Sequence, residues 1–343
     1  MPGSVNFAGW TLSWSIPALN GEGLVITKAD FGGARVLYRG GAPFVLVPYH
    51  GNSPTFKDGL SPACGGLPFL ALVPTAPNVP SWNLPPGATA SNDNQYDAAT
   101  NPGGSVAVEL VGPGLTEPAH AVVWAKFQCG NYQYVHRWTF QADGAIHPEV
   151  GLGGKLLSPE GGGRAHIHNF YFRLDLDVSG ATNNVVQRFA HSSLSSADQW
   201  TPITVESAQT VDLAKGTTWR VANKGPKANG QIRSYELIPG SDIAPDGTYS
   251  TADVWVVRYK AGAEDGSTVG CQDNAIGTQF VNGESVDGQD VVVWYCLRHH
   301  HRPREKGEED NVLPYEFLGF ELEPRDLLDH TPTKLYSTSP VSP

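Results

Sequence analysis

Short runs of β-branched and aromatic residues, each closed off by glycine, proline, asparagine or aspartate, recur from one end of this chain to the other. A chain punctuated in that way has few folds open to it. The runs at 23–27 (GLVIT), 34–38 (ARVLY), 44–47 (FVLV), 106–110 (VAVEL) and 121–124 (AVVW) are each of strand length. The same grammar continues at 132–140, 166–178, 218–221, 254–259 and 291–295. With 39 Gly and 27 Pro among 343 residues, regular helix is interrupted too often for a helical bundle or a long coiled coil. Hydrophobic residues at 40%, with nine Trp among them, supply a sizeable core, and a charged content of 17% falls well short of a disordered composition. The expectation is an all-β fold, a large antiparallel β-sandwich. No internal linker is long enough to divide it, so residues 1–324 are expected to form one β domain and 325–343 a C-terminal tail or arm. Residues 75–104, rich in Pro, Asn and Ala, have the character of a long surface loop. Trp138, Trp255 and Trp294 sit in strand patterns and are expected in the core.

The formal charge of −11 repels a phosphate backbone, so nucleic acid is excluded as a partner. No stretch approaches the roughly 20 consecutive apolar residues of a membrane helix. The opening MPGSVNFAGW has neither the basic start nor the apolar run of a signal peptide, so a cytoplasmic address without membrane association is expected. Cys64, Cys129, Cys271 and Cys296 are widely spaced, with no C-x-x-C pair to suggest zinc or redox exchange, and buried free thiols are expected in preference to a single disulfide.

His166 and His168 fall in a strand pattern, where the period of two turns both imidazoles to one face, within reach of a single metal ion. A third ligand is available from His299, His300 and His301, which follow the apolar run at 291–297. Three imidazoles with an open position suit copper or zinc, and all-nitrogen ligation without cysteine leans toward copper when the chemistry is oxidative. The competing reading of the triple histidine is a solvated loop ahead of the acidic run at 305–310.

Several blocks stand in order along the chain: Val47-Pro48-Tyr49, then Gly130-Asn131-Tyr132-Gln133-Tyr134, then HIHNFYFRLDLDVSG at 166–180. They are followed by His301-Arg302-Pro303-Arg304, Leu313-Pro314 and GFELEP at 319–324. In this order they resemble the catalytic β-sandwich domain of the copper amine oxidases, with the amino-terminal satellite domains of that family missing from the match. The resemblance implies copper held by His166, His168 and His301. It also implies that Tyr132 is oxidised in place to topaquinone, with Asn131 preceding it and Tyr49 hydrogen-bonding the quinone oxygen. It further implies a peripheral calcium bound by Asp175, the Leu176 carbonyl and Asp177, together with an aspartate and the next carbonyl eleven residues before the third copper histidine. Counting back from His301 reaches Asp290 and Val291, which supports His301 over its two neighbours. The implied reaction takes a small-molecule primary amine and O2 to aldehyde, ammonia and hydrogen peroxide. Relatives form homodimers through exchanged arms, for which residues 75–104 and those after Pro324 are candidates.

The chain departs from the family where the base should lie. FKDGLSPACGG at 56–66 stands in place of a block like F-K-x-x-[F/L]-D-x-G-[E/D]-Y-G, so Ser61 occupies the position of the catalytic aspartate. A serine hydroxyl without an adjacent base cannot take up a proton as a carboxylate does. Asp58 is the nearest acid and is expected to act as base if amines are turned over; otherwise it caps a turn at Gly59. Gln133 replaces the acid after the cofactor tyrosine, and Gln128 the threonine of T-x-G-N-Y. These departures leave two alternatives beside amine oxidation. One is a copper-dependent tailoring enzyme acting on a non-amine metabolite with Tyr132 unmodified, and the other is a non-catalytic copper-binding relative.

Overall fold

Side-chain alternation along a strand decides which residues share a face, and the computed structural model follows it closely. It describes residues 3–17, 22–48, 55–59, 66–71, 88–91, 106–114, 118–130, 132–154, 165–191, 200–241, 251–262, 279–301 and 313–328. The chain begins with β1 (Gly3–Phe7) and β2 (Trp10–Ser15). In β2, Trp10, Leu12 and Trp14 are buried while Thr11 is exposed, as a half-buried strand requires. There follow β3 (Val25–Phe31), β4 (Ala34–Leu37), β5 (Arg39–Pro48), β6 (Thr55–Asp58), β7 (Leu70–Ala71), β8 (Ala88–Ser91), β9 (Val106–Val111), β10 (His120–Cys129), β11 (Tyr132–Gln141), β12 (Ile146–Gly154) and β13 (His166–Asp175). The remainder are β14 (Asn184–Phe189), β15 (Trp200–Ile203), β16 (Ser207–Gln209), β17 (Thr218–Pro226), β18 (Ile232–Ile238), β19 (Val254–Arg258), β20 (Val291–His301), β21 (Leu313–Gly319) and β22 (Glu321–Arg325).

These strands form two antiparallel sheets. The first has the order β1-β2-β3-β5-β13-β20-β19-β16, with β4 on β3 and β6 on β5. The second runs β15-β14-β17-β18-β22-β12-β11-β10-β9-β8, with β21 on β12 and β7 on β10. The expected antiparallel β-sandwich is the architecture found. Its main core lies between the sheets and draws on both, from Trp14, Val45, Phe172 and Leu297 on one side to Trp138, Val150 and Leu237 on the other. A second apolar layer containing Phe44, Tyr171, Trp255 and Trp294 covers the outer face of the first sheet. Its central strands β5, β13 and β20 are therefore buried on both faces, which is why their sequences are nearly continuous apolar runs rather than alternating ones. Trp138, Trp255 and Trp294 are each 1% exposed, as expected. Cys129 and Cys296 are buried free thiols; Cys64 and Cys271 lie outside the described residues.

One competing reading and two expectations need correction. The triple histidine is not a loop, because β20 continues to His301 and pairs with β13 along its whole end. The segment 75–104 includes a strand, β8, which pairs with β9. The domain does not stop at 324: Arg325 completes β22 opposite Ser234, and Leu327 is buried in the core at 3% exposure. An apolar side chain placed just past a paired strand end is drawn into the core it borders. Among the described residues no helix is long and apolar enough to cross a membrane.

Candidate metal centre

Register places the histidines. His166 and His168 project from the same face of β13, and the antiparallel partner β20 sets His301 opposite His166 and His299 opposite His168. All four are buried. His166, His168 and His301 each offer a ring nitrogen, and these atoms lie within 4.8 Å of one another. His166 Nε2 is 3.0 Å from His168 Nε2 and 3.4 Å from His301 Nδ1. A divalent ion about 2.0 Å from two imidazole nitrogens at a tetrahedral angle holds them about 3.3 Å apart. The spacing therefore fits a shared cation. A neutral imidazole nitrogen carries one proton or one lone pair, so the partners crowded around His166 Nε2 cannot all be satisfied by hydrogen bonds. Burial, then the neighbouring imidazoles, holds His168 well below the ordinary histidine range. Burial likewise lowers His301, to about 4, with His299 and His300 adding to the effect. Both rings are thus neutral, as metal ligands must be.

The opposite sheet supplies the phenols. Cys129 of β10 pairs with Tyr132 of β11 across a two-residue connection in which Gly130 takes a left-handed φ of 55°. This tight end points Tyr132 at the histidines: its hydroxyl is 2.9 Å from His166 Nε2, and its ring meets that of His168 edge-on at 4.7 Å. Tyr134, on the same face of β11, donates a 2.6 Å hydrogen bond to Oδ2 of Asp58, and its oxygen lies 3.2 Å from Nδ1 of His168.

Asp58 does not cap a turn. The Gly59 amide donates to the Leu67 carbonyl, and the Asp58 carboxyl points into the core at 3% exposure. Strand β6 pairs Asp58 with Val45, and β5 pairs Val45 with Phe170, so Asp58 shares an inward-facing row with the neighbour of His168 on β13. Burial raises its pKa from 3.8 to about 6, opposed by hydrogen bonds from Tyr134 and Cys129. The Cys129 thiol is itself pushed up by burial and by Asp58. Sequence reasoning singled out neither Tyr134 nor Cys129 as belonging to the site. The period of two from Tyr132 was a signal for Tyr134, and none existed for Cys129.

The two glutamines that replace family residues bond to each other. Gln133 Nε2 donates to Gln128 Oε1 at 3.0 Å, and Gln128 Nε2 donates to the carbonyls of Gly130 at 2.6 Å and Tyr132 at 3.0 Å. Together they clasp the connection that presents Tyr132. Two residues beyond Tyr134, His136 is buried with neither ring nitrogen hydrogen-bonded, and burial lowers it to about 3. It packs as an apolar ring against Phe127 at 4.9 Å and Phe69 at 5.1 Å.

At the far end of β13, carboxylate oxygens of Asp175, Asp177 and Asp290 also lie within 4.8 Å of one another. Burial raises all three, Asp175 to about 7 and Asp177 to about 6. Arg173 Nη2 donates to Asp175 Oδ2 at 3.2 Å, while Oδ1 of Asp290 is buried without a hydrogen-bond partner. Carboxylates gathered out of water with one oxygen unpaired fit a hard cation. Leu176 and Val291 adjoin the cluster in sequence, each 1% exposed. Tyr49, Asn131, Ser61 and the residues after 328 lie outside the described residues.

Residues 116–341 match the family model described as copper amine oxidase, enzyme domain. The primary amine oxidase of Klebsiella aerogenes is 26% identical over 382 residues, covering 90% of this chain and 50% of that protein. The copper-containing amine oxidase gamma 2 of Arabidopsis thaliana is 25% identical over 280 residues, covering 65% of this chain and 40% of its own length. The chain thus spans about half the length of the curated relatives it matches. A copper-containing benzylamine oxidase from Hansenula polymorpha superposes with a TM-score of 0.69 at 18% identity, over 96% of this chain and 60% of that one. The lysyl oxidase of Pichia pastoris gives 0.71 at 16% identity, over 96% and 52%. At such identities the structural likeness shows the fold.

Proposed function

Because this chain belongs to the copper amine oxidase family, we propose that it binds copper through His166, His168 and His301 and oxidises a primary amine. Amine, O2 and water are converted to aldehyde, ammonia and hydrogen peroxide. The observation that carries this reading is the meeting of three buried imidazole nitrogens with the Tyr132 hydroxyl, one tyrosine away from a buried carboxyl. When bound, copper supplies the oxygen chemistry for turning Tyr132 into a quinone and for reoxidising it, and the quinone supplies an electrophilic carbonyl to the amine.

The chain's own residues do the rest. The imidazoles of His168 and His301 are neutral at pH 7, so they need not shed protons to act as ligands. Asp58 is the proton acceptor for the substrate carbon, in place of the missing aspartate at Ser61. It is ionised above about pH 6, and the 2.6 Å bond from Tyr134 holds it in one orientation. The family resemblance assigns to Tyr49 a hydrogen bond to the quinone oxygen, and Asn131 precedes Tyr132 in the sequence. Burial of Tyr132 at 6% exposure keeps bulk water from the reacting position. Asp175, Asp177 and Asp290, with the carbonyls of Leu176 and Val291, hold a calcium ion, and two chains associate as a homodimer.

Metal analysis and carbonyl trapping test the core of this proposal. Protein expressed with copper should carry about one copper per chain, lost in the His166→Ala, His168→Ala double variant, and phenylhydrazine should form a coloured adduct at Tyr132. Copper retained by the double variant would overturn the ligand set. A copper-loaded, aerated protein that gives no adduct would instead favour a copper enzyme with Tyr132 unmodified.

A further inference from the structure

We propose that the Tyr134 hydroxyl is a positioning group shared by the metal centre and the Asp58 carboxyl, so that the metal ligand His168 and the base are set by one oxygen. The inference rests on the copper site and the role of Asp58 given above.

The argument begins with the ring. Tyr134 is 0% exposed, and its ring is fixed by edge contacts to Phe170 at 5.5 Å, Phe69 at 5.8 Å and His168 at 5.9 Å. Its oxygen has no room to seek other partners. A hydroxyl has one proton and two lone pairs. With that proton donated to Asp58 Oδ2 at 2.6 Å, the oxygen can only accept from Nδ1 of His168 at 3.2 Å. Nδ1 therefore carries the ring proton of His168, and Nε2 carries the lone pair. Nε2 is also the atom that faces His166 Nε2 at 3.0 Å, where a cation would be shared. The chain Asp58–Tyr134–His168 thus selects the tautomer that can ligate. It extends by one tyrosine the arrangement in which a carboxylate orients a metal-binding histidine.

The direction of these bonds depends on an acceptor at position 58. An isosteric amide keeps one, because the side-chain oxygen of asparagine still accepts from Tyr134. Alanine removes it, and the Tyr134 proton then turns to the remaining acceptor, Nδ1 of His168. That reversal moves the ring proton of His168 to Nε2 and blocks the metal lone pair. A residue that touches no ligand would thereby control copper affinity. A purely structural hydroxyl, bonded only because buried tyrosines find partners, predicts no such transmission.

Copper dissociation constants measured by chelator competition, with the electron paramagnetic resonance spectrum of the bound ion, test this in wild type, Tyr134→Phe, Asp58→Asn, Asp58→Ala and the Tyr134→Phe, Asp58→Ala double variant. Tyr134→Phe and Asp58→Ala should each weaken copper binding by about 10- to 100-fold and alter the spectrum, whereas Asp58→Asn should stay near wild type. In the double variant the two effects should not add, since both act through the same oxygen. If Tyr134→Phe does not fold, the contrast between alanine and asparagine at 58 carries the same test. Wild-type affinity and spectrum in both Tyr134→Phe and Asp58→Ala, or in Asp58→Ala alone should the phenylalanine variant not fold, would overturn the inference while leaving the copper site standing. Absence of histidine-dependent copper in the wild type would instead overturn the copper site on which the inference rests.

Discussion

Replacing Asp58 with asparagine should make the metal-free protein more stable at neutral pH even as it removes the proposed base. Asp58 is 3% exposed, and burial lifts its pKa from 3.8 to about 6. Between those values the unfolded chain releases the proton while the folded chain keeps it. The stability linked to this group is therefore complete below pH 3.8 and is lost as pH rises through 6. A displacement of that size corresponds to about 3 kcal/mol, on an order-of-magnitude basis. Asparagine has nearly the same shape, can accept from Tyr134 through its oxygen, and carries no charge at any pH. The variant should therefore gain about 3 kcal/mol relative to wild type between pH 4 and pH 8, read from urea unfolding of both proteins at each pH. A stability difference that does not change with pH would show that the Asp58 carboxyl ionises alike in folded and unfolded chains, which would refute its burial as a charged group. In copper-loaded protein the same substitution should reduce amine turnover by about 100-fold or more; unchanged turnover would remove Asp58 from the chemistry.

Calcium in excess should raise the melting temperature of wild type, by about 2.7 kcal/mol in stability at 100 times the dissociation constant, and Asp290→Asn should abolish the response; a wild type indifferent to calcium would dismiss the acidic cluster as a metal site. Gly59→Ala should cost about 1–3 kcal/mol, because Gly59 has a φ of 79° and an added Cβ would lie 2.4 Å from the Pro43 carbonyl. Denaturant melts showing wild-type stability would mean that the strand end carrying Asp58 is looser than this packing implies. Light scattering at micromolar concentration should return twice the chain mass, and a monomer there would reject the homodimer.

The histidine pair was legible because a period of two is a local property of a strand. Choosing His301 among three adjacent histidines was harder, since it depends on how β20 pairs with β13, and only the eleven-residue spacing to Asp290 hinted at that register. Asp58 shows the limit of local signals. Asp-Gly is an ordinary turn pair, and the inward direction of the carboxyl follows from the β5–β6 pairing and from Tyr134, which arrives from the other sheet. Contacts between sheets leave no mark on periodicity, so the period of two that sets Tyr134 on the face of Tyr132 does not reveal its bond to Asp58, while the Gln128–Gln133 clasp depends on the register of β10 against β11. The extent of the packed chain past Pro324 was misjudged because a single leucine, Leu327, suffices to anchor a strand end in the core.

The placement of imidazoles on one sheet and phenols on the other makes the gap between the sheets a working dimension of the protein. Stacked sheets stand about 10 Å apart, and here that interval also sets how closely Tyr132 approaches His166 and how firmly Tyr134 spans from His168 to Asp58. The sandwich acts as a caliper whose jaws carry the chemistry. An enlarged side chain in the core beside the site, at Phe170 or Phe127, should widen that gap where the jaws meet. Tolerance to core substitution should consequently be governed by the alignment of the site well before it is governed by whether the chain still folds.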